Sequence, residues 1–380
     1  MSRQGKRELL EAVRPRYLKA SRAQKGGILD EFVAATGYNR KYANHLLCRG
    51  RSGRRAAKKP GRRRVYGPEV VAALVGVWEV SAYLCGKRLQ PFMPKLIEAM
   101  ERHGELSLPE EVRAKLLQMS ASTMDRCLRR ARTQLARKRQ TTTKPGSLLK
   151  SAIPIRTFAD WDEQRPGFVE VDLVAHCGGT TTGEYLHTLS AVDIDTRWCE
   201  PVALANRSQE VTLDGIQALR RRLPFGLLGI DTDSGGEFIN HHLYNYCRKE
   251  AITFTRSRPY KKNDQAHVEQ KNWTVVRQVI GYRRYESTQA LGLLQAIYAD
   301  LRLFVNFFQP VMKLASKTWV GSRVHKRYDV AQTPYQRVLA CQHVDRVTKA
   351  RLAHQYVKLN PVELRQRIEA NLAKLWRLPR

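Results

Sequence analysis

Apolar residues in the first fifty positions recur at helical spacing. One group precedes the break at Thr36-Gly37 and consists of Ile28, Phe32, Val33 and Ala35. A second group comes after Asn39, which is suited to cap a helix, and consists of Tyr42, Ala43, Leu46 and Leu47. Two short helices around a glycine turn predict a helix-turn-helix, with a plain helical hairpin as the alternative.

Residues 68–140 have a helical pattern as well. A helix is predicted to begin near Pro109, and Ser120 is placed to cap another that begins at Ala121. The layout resembles a second helix-turn-helix. The segment TTTKPGSLLK, 141–150, has the composition of a linker.

Beyond residue 160 the pattern changes to alternation. In FVEVDLVAH, 168–176, apolar residues alternate with Glu170 and Asp172, and EYLHTLSAVDI and RWCEPVAL come next as two more strands. They precede a helix over 207–223, a strand in FGLLGIDTD, a helix around 238–250, a strand in AITFTR and a helix from about Asn263. This order predicts an α/β core, with a mixed five-stranded sheet flanked by helices.

The C-terminal region is predicted to be mainly helical. In NPVELRQRIEANLAKLWRL, Asn360 is the expected cap, Pro361 takes the first helical position and Glu363 completes a capping box. One apolar stripe consists of Leu364, Ile368, Leu372, Leu375 and Trp376. We expect this stripe to pack within the chain rather than against a second protomer.

Charge separates this chain from an ordinary globular protein. Its 380 residues include 67 Lys and Arg against 35 Asp and Glu, for a net charge of +32, while the hydrophobic content of 42% suffices for a sizeable core. The excess basic side chains repel one another and destabilise the compact state unless the protein binds a polyanion. Nucleic acid is the favoured polyanion. No amphipathic basic helix favours a membrane surface instead, and the apolar run VVAALVGVW is about half a membrane span.

Several other classes of site lack their sequence signals. The N-terminus has no apolar secretory core, and seven scattered cysteines suit free thiols in a reducing cytoplasm. His45 and Cys48 have no second pair at zinc-finger spacing, and the phosphate-binding motif GxxxxGK[ST] is absent. We therefore expect a cytoplasmic, nucleoid-associated protein without a nucleotide cofactor.

The N-terminal region is the first candidate for DNA binding. Residues 1–66 carry 19 basic and 4 acidic side chains, a net charge of +15. The second predicted helix exposes side chains suited to phosphates and base edges, namely Arg40, Lys41, Asn44 and His45. The basic run 49–64 lacks apolar periodicity and is predicted to track phosphates, with Arg62, Arg63 and Arg64 as its last three contacts.

Three acidic positions are the candidates for chemistry. Asp172 lies in the first strand of the predicted sheet, Asp231 or Asp233 ends the fourth, and Glu269 lies on the helix after the fifth. Carboxylates that converge repel one another unless cations hold them, and hard oxygen ligands select Mg²⁺ or Mn²⁺. Two such ions could carry out phosphoryl transfer. A solvated turn is the alternative for the paired aspartates.

Three blocks carry a family resemblance: VEVDLVAH, DTDSGGEF and NDQAHVEQKNW. They resemble the signature blocks of the retroviral-integrase-like DDE transposases of bacterial insertion sequences. In that family the second acid opens a D-[NS]-G-x-x-F block, and thirty-five residues separate it from a Glu. Asp233 opens D-S-G-G-E-F, and thirty-five residues lie between it and Glu269. The resemblance therefore selects Asp233 and leaves Asp231 unassigned.

The resemblance covers about 160–312 and implies an RNase H-like fold. It implies that Asp172, Asp233 and Glu269 bind Mg²⁺ or Mn²⁺, that water cleaves a phosphodiester at each element end, and that the freed 3′-hydroxyl attacks target DNA. Double-stranded DNA and further copies of the chain in a synaptic complex would be the partners. The segments 304–314 and 327–339 also resemble the regions on the C-terminal side of the core in this family. The predicted regions are 1–66, 67–150, 160–312 and 313–380.

Residues around the third block have weaker assignments. Lys261, Lys262 and Lys271 could clamp phosphates or be ordinary solvated charge, and Asn263 and Gln265 could contact DNA. His176 and His267 are better explained as structural histidines. Two alternative functions remain: a nuclease of the RNase H superfamily that only hydrolyses, and a domesticated transposase that acts as a DNA-binding regulator.

Overall fold

The computed structural model of the protein describes residues 1–49, 65–133, 165–257 and 265–379. It divides into two compact units, Met1–Val65 and Tyr66–Arg380. The predicted linker 141–150 lies outside the described residues.

The first unit is a small three-helix domain. Its helices are α1 Arg3–Lys19, α2 Arg22–Thr36 and α3 Arg40–Arg49. Gly37 ends α2 with φ 67°, and the Asn39 side chain accepts the backbone N–H of Lys41 at 3.0 Å, as the pattern predicted. Helix α1 was not predicted. It contributes Leu10 and Tyr17 to the core, where Phe32, Ala43 and Leu47 are almost fully buried.

The prediction that Ala35 and Tyr42 lie on the apolar faces of this unit is wrong. Ala35 is exposed, and Tyr42 is 47% exposed. Tyr42 instead packs edge-on against Tyr38, with ring centroids 5.1 Å apart. The buried face of α3 is therefore Ala43, Leu46 and Leu47.

The second helical region belongs to the same unit as the sheet. It consists of α4 Pro68–Val80, α5 Gly86–Arg102, α6 Glu110–Gln118, α7 Ala121–Cys127 and α8 Arg129–Thr133. Ser120 caps α7 as predicted, accepting the N–H of Thr123. Arg88 donates to the carbonyl of Pro310 at 2.6 Å, and Gln309 donates to that of Ser81 at 2.8 Å, so these helices are tied to the core.

The predicted mixed five-stranded sheet is confirmed. Its strands are β1 Phe168–Ala175, β2 His187–Asp193, β3 Cys199–Leu204, β4 Gly229–Thr232 and β5 Thr253–Arg256. The spatial order is β3-β2-β1-β4-β5, in which the first three strands are antiparallel and β1, β4 and β5 are parallel. The strands β2 and β3 are buried on both faces.

Helices complete this unit. They are α9 Gln209–Arg222, α10 His241–Lys249, α11 Ala266–Lys271, α12 Gln278–Ile280, α13 Thr288–Phe308, α14 Pro334–Ala340, α15 Arg346–Lys358 and α16 Pro361–Arg377, with a π-helix at Asn272–Arg277 between α11 and α12. In the described chain α13 alone is long and apolar enough to cross a membrane by length and composition, and half of its most apolar window is buried inside the protein.

Helix α16 packs along α13, which confirms the prediction of packing within the chain. The stripe residues Leu364, Ile368, Leu372 and Leu375 are buried, whereas Trp376 is 46% exposed. The prediction of a mainly helical C-terminal region missed one feature. A two-stranded hairpin, β6 Leu314–Val320 and β7 Arg323–Tyr328, projects between α13 and α14.

Asn306 of α13 closes the edge of the sheet at β3. Its side chain accepts the backbone N–H of Cys199 at 2.8 Å and donates to the carbonyl of the same residue at 2.9 Å. Asn306 is fully buried, so a substitution leaves both backbone groups of Cys199 without a partner in the core.

We expect Asn306→Leu to lower the free energy of unfolding by about 2 kcal/mol, because the unpaired backbone groups keep their desolvation penalty. Urea denaturation of the full chain measures the change. Gln295 lies on the same helix and is exposed, so Gln295→Leu is the matched control and should leave stability almost unchanged. Equal stability of both variants would contradict the edge-closing role of Asn306.

Candidate active site

Asp172 and Asp233 lie side by side where two neighbouring parallel strands end their pairing. The β1–β4 register ends with Val171 opposite Thr232, and each aspartate is the next residue along the chain. Side chains two apart in a strand share a face. The two aspartates therefore extend the row formed by Glu170 and Asp231, which are direct partners one step earlier in the register.

Asp172 is half-buried and held by two hydrogen bonds. One carboxylate oxygen, Oδ2, accepts Nδ2–H of Asn272 at 2.6 Å, and Oδ1 accepts the backbone N–H of Leu173 at 2.8 Å. Asn272 comes one helical turn after Glu269. The helix that carries the third acid therefore also orients the first.

Asp233 belongs to the turn after β4. Its Oδ1 accepts the backbone N–H of Gly235 at 2.9 Å. A Cβ atom on Gly235 would lie 2.9 Å from the same oxygen and 2.7 Å from the side chain of Glu237. A larger residue at position 235 would therefore have to displace the side chain of Glu237 or Asp233.

Glu269 is exposed in the first turn of α11. The start of this helix is fixed by Glu170 of β1, whose Oε2 accepts the backbone N–H groups of His267 at 2.9 Å and Val268 at 2.8 Å. The first N–H groups of a helix have no partner within the helix, so a carboxyl group there both satisfies and positions them. Sequence reasoning assigned Glu170 only to a strand face.

Asp231 occupies the buried layer beneath the two outer aspartates. It is fully buried, and its Oδ1 accepts the hydroxyl of Thr255 on β5 at 2.6 Å. Its Oδ2 receives a longer contact, 3.4 Å, from the side-chain amide of Gln265. Gln265 thus contacts the inner carboxylate and is itself buried.

The electrostatics of the carboxyl cluster oppose its full ionisation. Burial, followed by the like charges of Asp233 and Glu269, raises the pKa of Asp172 to about 7. Burial also raises the pKa of Asp233. In the layer below, burial raises the pKa of Glu170 to about 8, despite its backbone hydrogen bonds, and Asp231 adds to that rise.

A hard divalent cation would relieve this repulsion, and carboxylate oxygens are the donors that Mg²⁺ and Mn²⁺ prefer. The residues present thus fit such an ion in charge and donor type. Within the described segments, no three His, Cys, Asp or Glu side chains are already gathered around a common point that could hold one.

The predicted DNA contacts of the first unit lie on α3. Arg40 and Lys41 are exposed, and Arg40 forms an ion pair with Asp30 of α2. Asn44 is also exposed, but its side-chain oxygen accepts the hydroxyl of Tyr17 at 2.7 Å. The Asn44 side chain therefore takes part in holding α1 against α3.

Most of the other predicted DNA-contacting residues cannot be placed in the structure. Arg62, Arg63, Arg64, Lys261, Lys262 and Asn263 lie outside the described residues. Both alternatives given for Lys271, a phosphate contact and a solvated charge, disagree with its environment, because only 6% of its surface is exposed and burial lowers its pKa to about 8. It lies at the C-terminal end of α11, facing away from solvent, and this burial argues against the predicted phosphate contact.

The two histidines near the acids have buried environments. His176 is fully buried, with Nε2 2.7 Å from the hydroxyl of Thr188, and burial lowers its pKa to about 3. The imidazole of His267 lies 3.9 Å from Glu170, and its pKa is likewise lowered to about 3, first by burial and then by Arg197 and Lys313. Both environments suit neutral structural histidines.

Comparisons with known proteins identify one clear relative. The uncharacterized protein y4rM of Sinorhizobium fredii is 43% identical over 330 residues, which are 87% of this chain and 94% of y4rM. No protein-family model matches the sequence. The chain belongs to the same family as y4rM.

Solved structures give only distant likenesses. The catalytic core domain of BIV integrase is 16% identical with a TM-score of 0.30, covering 47% of this chain and 96% of that domain. The HTLV-2 integrase catalytic core domain in complex with magnesium is 15% identical with a TM-score of 0.25, covering 30% and 68%.

Proposed function

We propose that this member of the y4rM family is a DDE-type DNA transposase, a polynucleotidyl transferase that cleaves element ends and joins their 3′-hydroxyls to target DNA. The observation that carries the proposal is the pair Asp172 and Asp233, adjacent at the end of the β1–β4 ladder, with Glu269 close enough for its charge to raise the pKa of Asp172. The strand order β3-β2-β1-β4-β5, with three antiparallel strands and two parallel additions, is that of an RNase H-like sheet.

The three carboxylates would hold two Mg²⁺ or Mn²⁺ ions, which when bound activate the attacking hydroxyl and stabilise the leaving oxygen of a phosphodiester. The chain's own residues prepare this site. Asn272 and Gly235 orient Asp172 and Asp233 through hydrogen bonds, and Glu170 fixes the start of the helix that carries Glu269. These hydrogen bonds restrict the orientation of Asp172 and Asp233 and the position of the helix that carries Glu269.

The charge of the chain supports duplex DNA as the partner. The net charge of +32 needs a polyanion, and α3 presents exposed basic residues next to an exposed amide. Two element ends must be brought together before joining, so we propose that the active form contains more than one copy. Such a protein would act in the cytoplasm, at the nucleoid.

The direct test is incubation of the full chain with Mg²⁺ and duplexes that carry the inverted repeats flanking its gene. We expect 3′-end cleavage and then a joined product on a plasmid target. Cleavage without joining would favour the hydrolytic nuclease, and sequence-specific binding without either would favour a DNA-binding regulator.

A second test concerns recognition by α3. We expect Asn44→Ala to reduce the preference for element ends over random duplex severalfold, because a polar side chain that reaches base edges is lost. The substitution also removes the acceptor of the Tyr17 hydroxyl. Tyr17→Phe is therefore the matched control, since it removes the same hydrogen bond and leaves the outer surface unchanged.

Competition binding at several salt concentrations measures both variants. Lys41→Ala should weaken binding to all sequences alike, as expected for a phosphate contact. If Tyr17→Phe lowers the sequence preference as much as Asn44→Ala does, Asn44 acts through the fold of this unit and makes no base contact.

A further inference from the structure

The hairpin β6–β7 lies entirely outside the hydrophobic core. All thirteen residues of its two strands are exposed, including Trp319 at 65% and Tyr328 at 52%. An isolated two-stranded hairpin is marginally stable in water, so a partner that covers its exposed aromatic side chains would stabilise it. The arrangement raises the question of which partner covers it.

The base of the hairpin is anchored firmly. The backbone N–H of Lys313 donates to the Asp329 carboxylate at 2.6 Å, and that carboxylate pairs with Arg337 at 2.8 Å. The Lys313 ammonium group pairs with Asp195 at 2.9 Å, next to the end of β2. The two acidic residues near the hairpin, Asp195 and Asp329, both form ion pairs at its base. These contacts fix the direction in which the hairpin leaves the core.

The charged side chains of the hairpin β6–β7 are all basic. Between Leu314 and Tyr328 there are four Lys and Arg side chains and no acidic one: Lys317, Arg323, Lys326 and Arg327. None of the four has an ion pair among the described residues. The ladder places Lys317 opposite Lys326 and Trp319 opposite Val324, so these four residues share one face. Arg323 and Arg327 lie on the other face.

Like charges directly opposite on a hairpin destabilise it, so the Lys317–Lys326 pair costs the free protein stability. An anionic partner would reverse that cost. The Lys317 ammonium group lies 5.6 Å from the centre of the Trp319 ring, which adds a flat apolar surface beside the charge. A second copy of a chain with net charge +32 would bring more positive charge to this surface, which disfavours it as the occupant.

We propose that β6–β7 is a DNA-contacting arm, which inserts its two basic faces between the phosphate strands of a duplex groove. The major groove admits a two-stranded β-ribbon of this kind. The proposal rests on DNA as the partner in the proposed function, but it requires no activity of the carboxylate site. The rigid base then sets the position of the bound duplex relative to the sheet.

The test is DNA binding by the full chain without divalent metal, using a random duplex over a series of salt concentrations. Lys317→Ala/Lys326→Ala should weaken binding roughly tenfold and reduce the slope of log K against log salt by about two, one for each lost phosphate contact. Arg351→Ala/Lys358→Ala, two exposed positions on α15, removes the same charge and is the matched control. The control should keep the wild-type slope.

A second readout locates the contact. Bound DNA should protect Lys317 and Lys326, but not Lys358, from acetylation measured by mass spectrometry. Equal salt slopes for the two double variants, with no protection of Lys317 and Lys326 from acetylation, would contradict DNA contact by the hairpin. The proposed function would not be affected by that result. A halved mass of the Trp319→Ala variant in solution, with DNA binding unchanged, would assign the hairpin to a second copy instead. Absence of any DNA binding by the wild type would remove the proposed function as well.

Discussion

Asp233→Asn should fold, bind DNA like the wild type and lose strand transfer by at least ~10³-fold, or about 4 kcal/mol of transition-state stabilisation. The substitution replaces an anionic ligand with a neutral one of the same shape. Asp172→Asn and Glu269→Gln should have the same effect, because the three carboxylates act as one unit and no other group can position the ions.

Asp231→Asn is the matched control for Asp233→Asn. It is two residues away on the same strand, but it is fully buried and bonded to Thr255 and Gln265. An amide at this position can still accept from the Thr255 hydroxyl. We therefore expect measurable Mg²⁺-dependent activity in Asp231→Asn, with a loss explained by stability rather than by the metal requirement.

The measurement is strand transfer on a pre-cut end, with DNA binding and thermal unfolding monitored in parallel for all four variants. An inactive Asp231→Asn beside an active Asp233→Asn would show that the wrong carboxylate was chosen. Full activity in all four would exclude the metal-dependent mechanism for this chain.

The sheet could be predicted because its strands leave local signals. Polar and apolar residues alternate in β1, and β4 is a short apolar run that follows a glycine. The helical patterns between the later strands separate them from one another. The hairpin β6–β7 left no such signal, since both of its faces carry charge and neither is buried. The helix α1 was missed for a related reason: Pro15 and many charges conceal a face with only Leu10 and Tyr17 buried.

The site was predictable in part. Asp172, Asp233 and Glu269 were predicted from three short blocks and stay a prediction. Asn272, which bonds to Asp172, could have been considered because it lies one helical turn after Glu269. The burial of Lys271 could not be predicted, because it depends on how α11 packs on β1 and β2. The role of Glu170 depends on a contact with residues 97 and 98 positions later, for which a single sequence holds no local signal.

Glu170→Ala should lower the rate of strand transfer by roughly 10²-fold while DNA binding changes little. The carboxyl group of Glu170 accepts two N–H groups in the first turn of α11, the same turn that holds Glu269. Without it, those buried donors lose their partner and the helix start can shift. A displacement of about 1 Å of a catalytic group is enough for a loss of this size.

Glu170→Gln separates positioning from a general loss of stability, because its amide oxygen can still accept both N–H groups. We expect it to recover most of the activity lost in Glu170→Ala. We also expect Glu170→Ala to need a higher Mg²⁺ concentration for half-maximal rate, because the helix start that holds Glu269 in place is no longer anchored. Asn306→Leu, destabilised at the far edge of the sheet, should keep the wild-type Mg²⁺ dependence. If Asn306→Leu and Glu170→Ala shift that dependence equally, Glu170 supports the fold and has no specific part in placing Glu269.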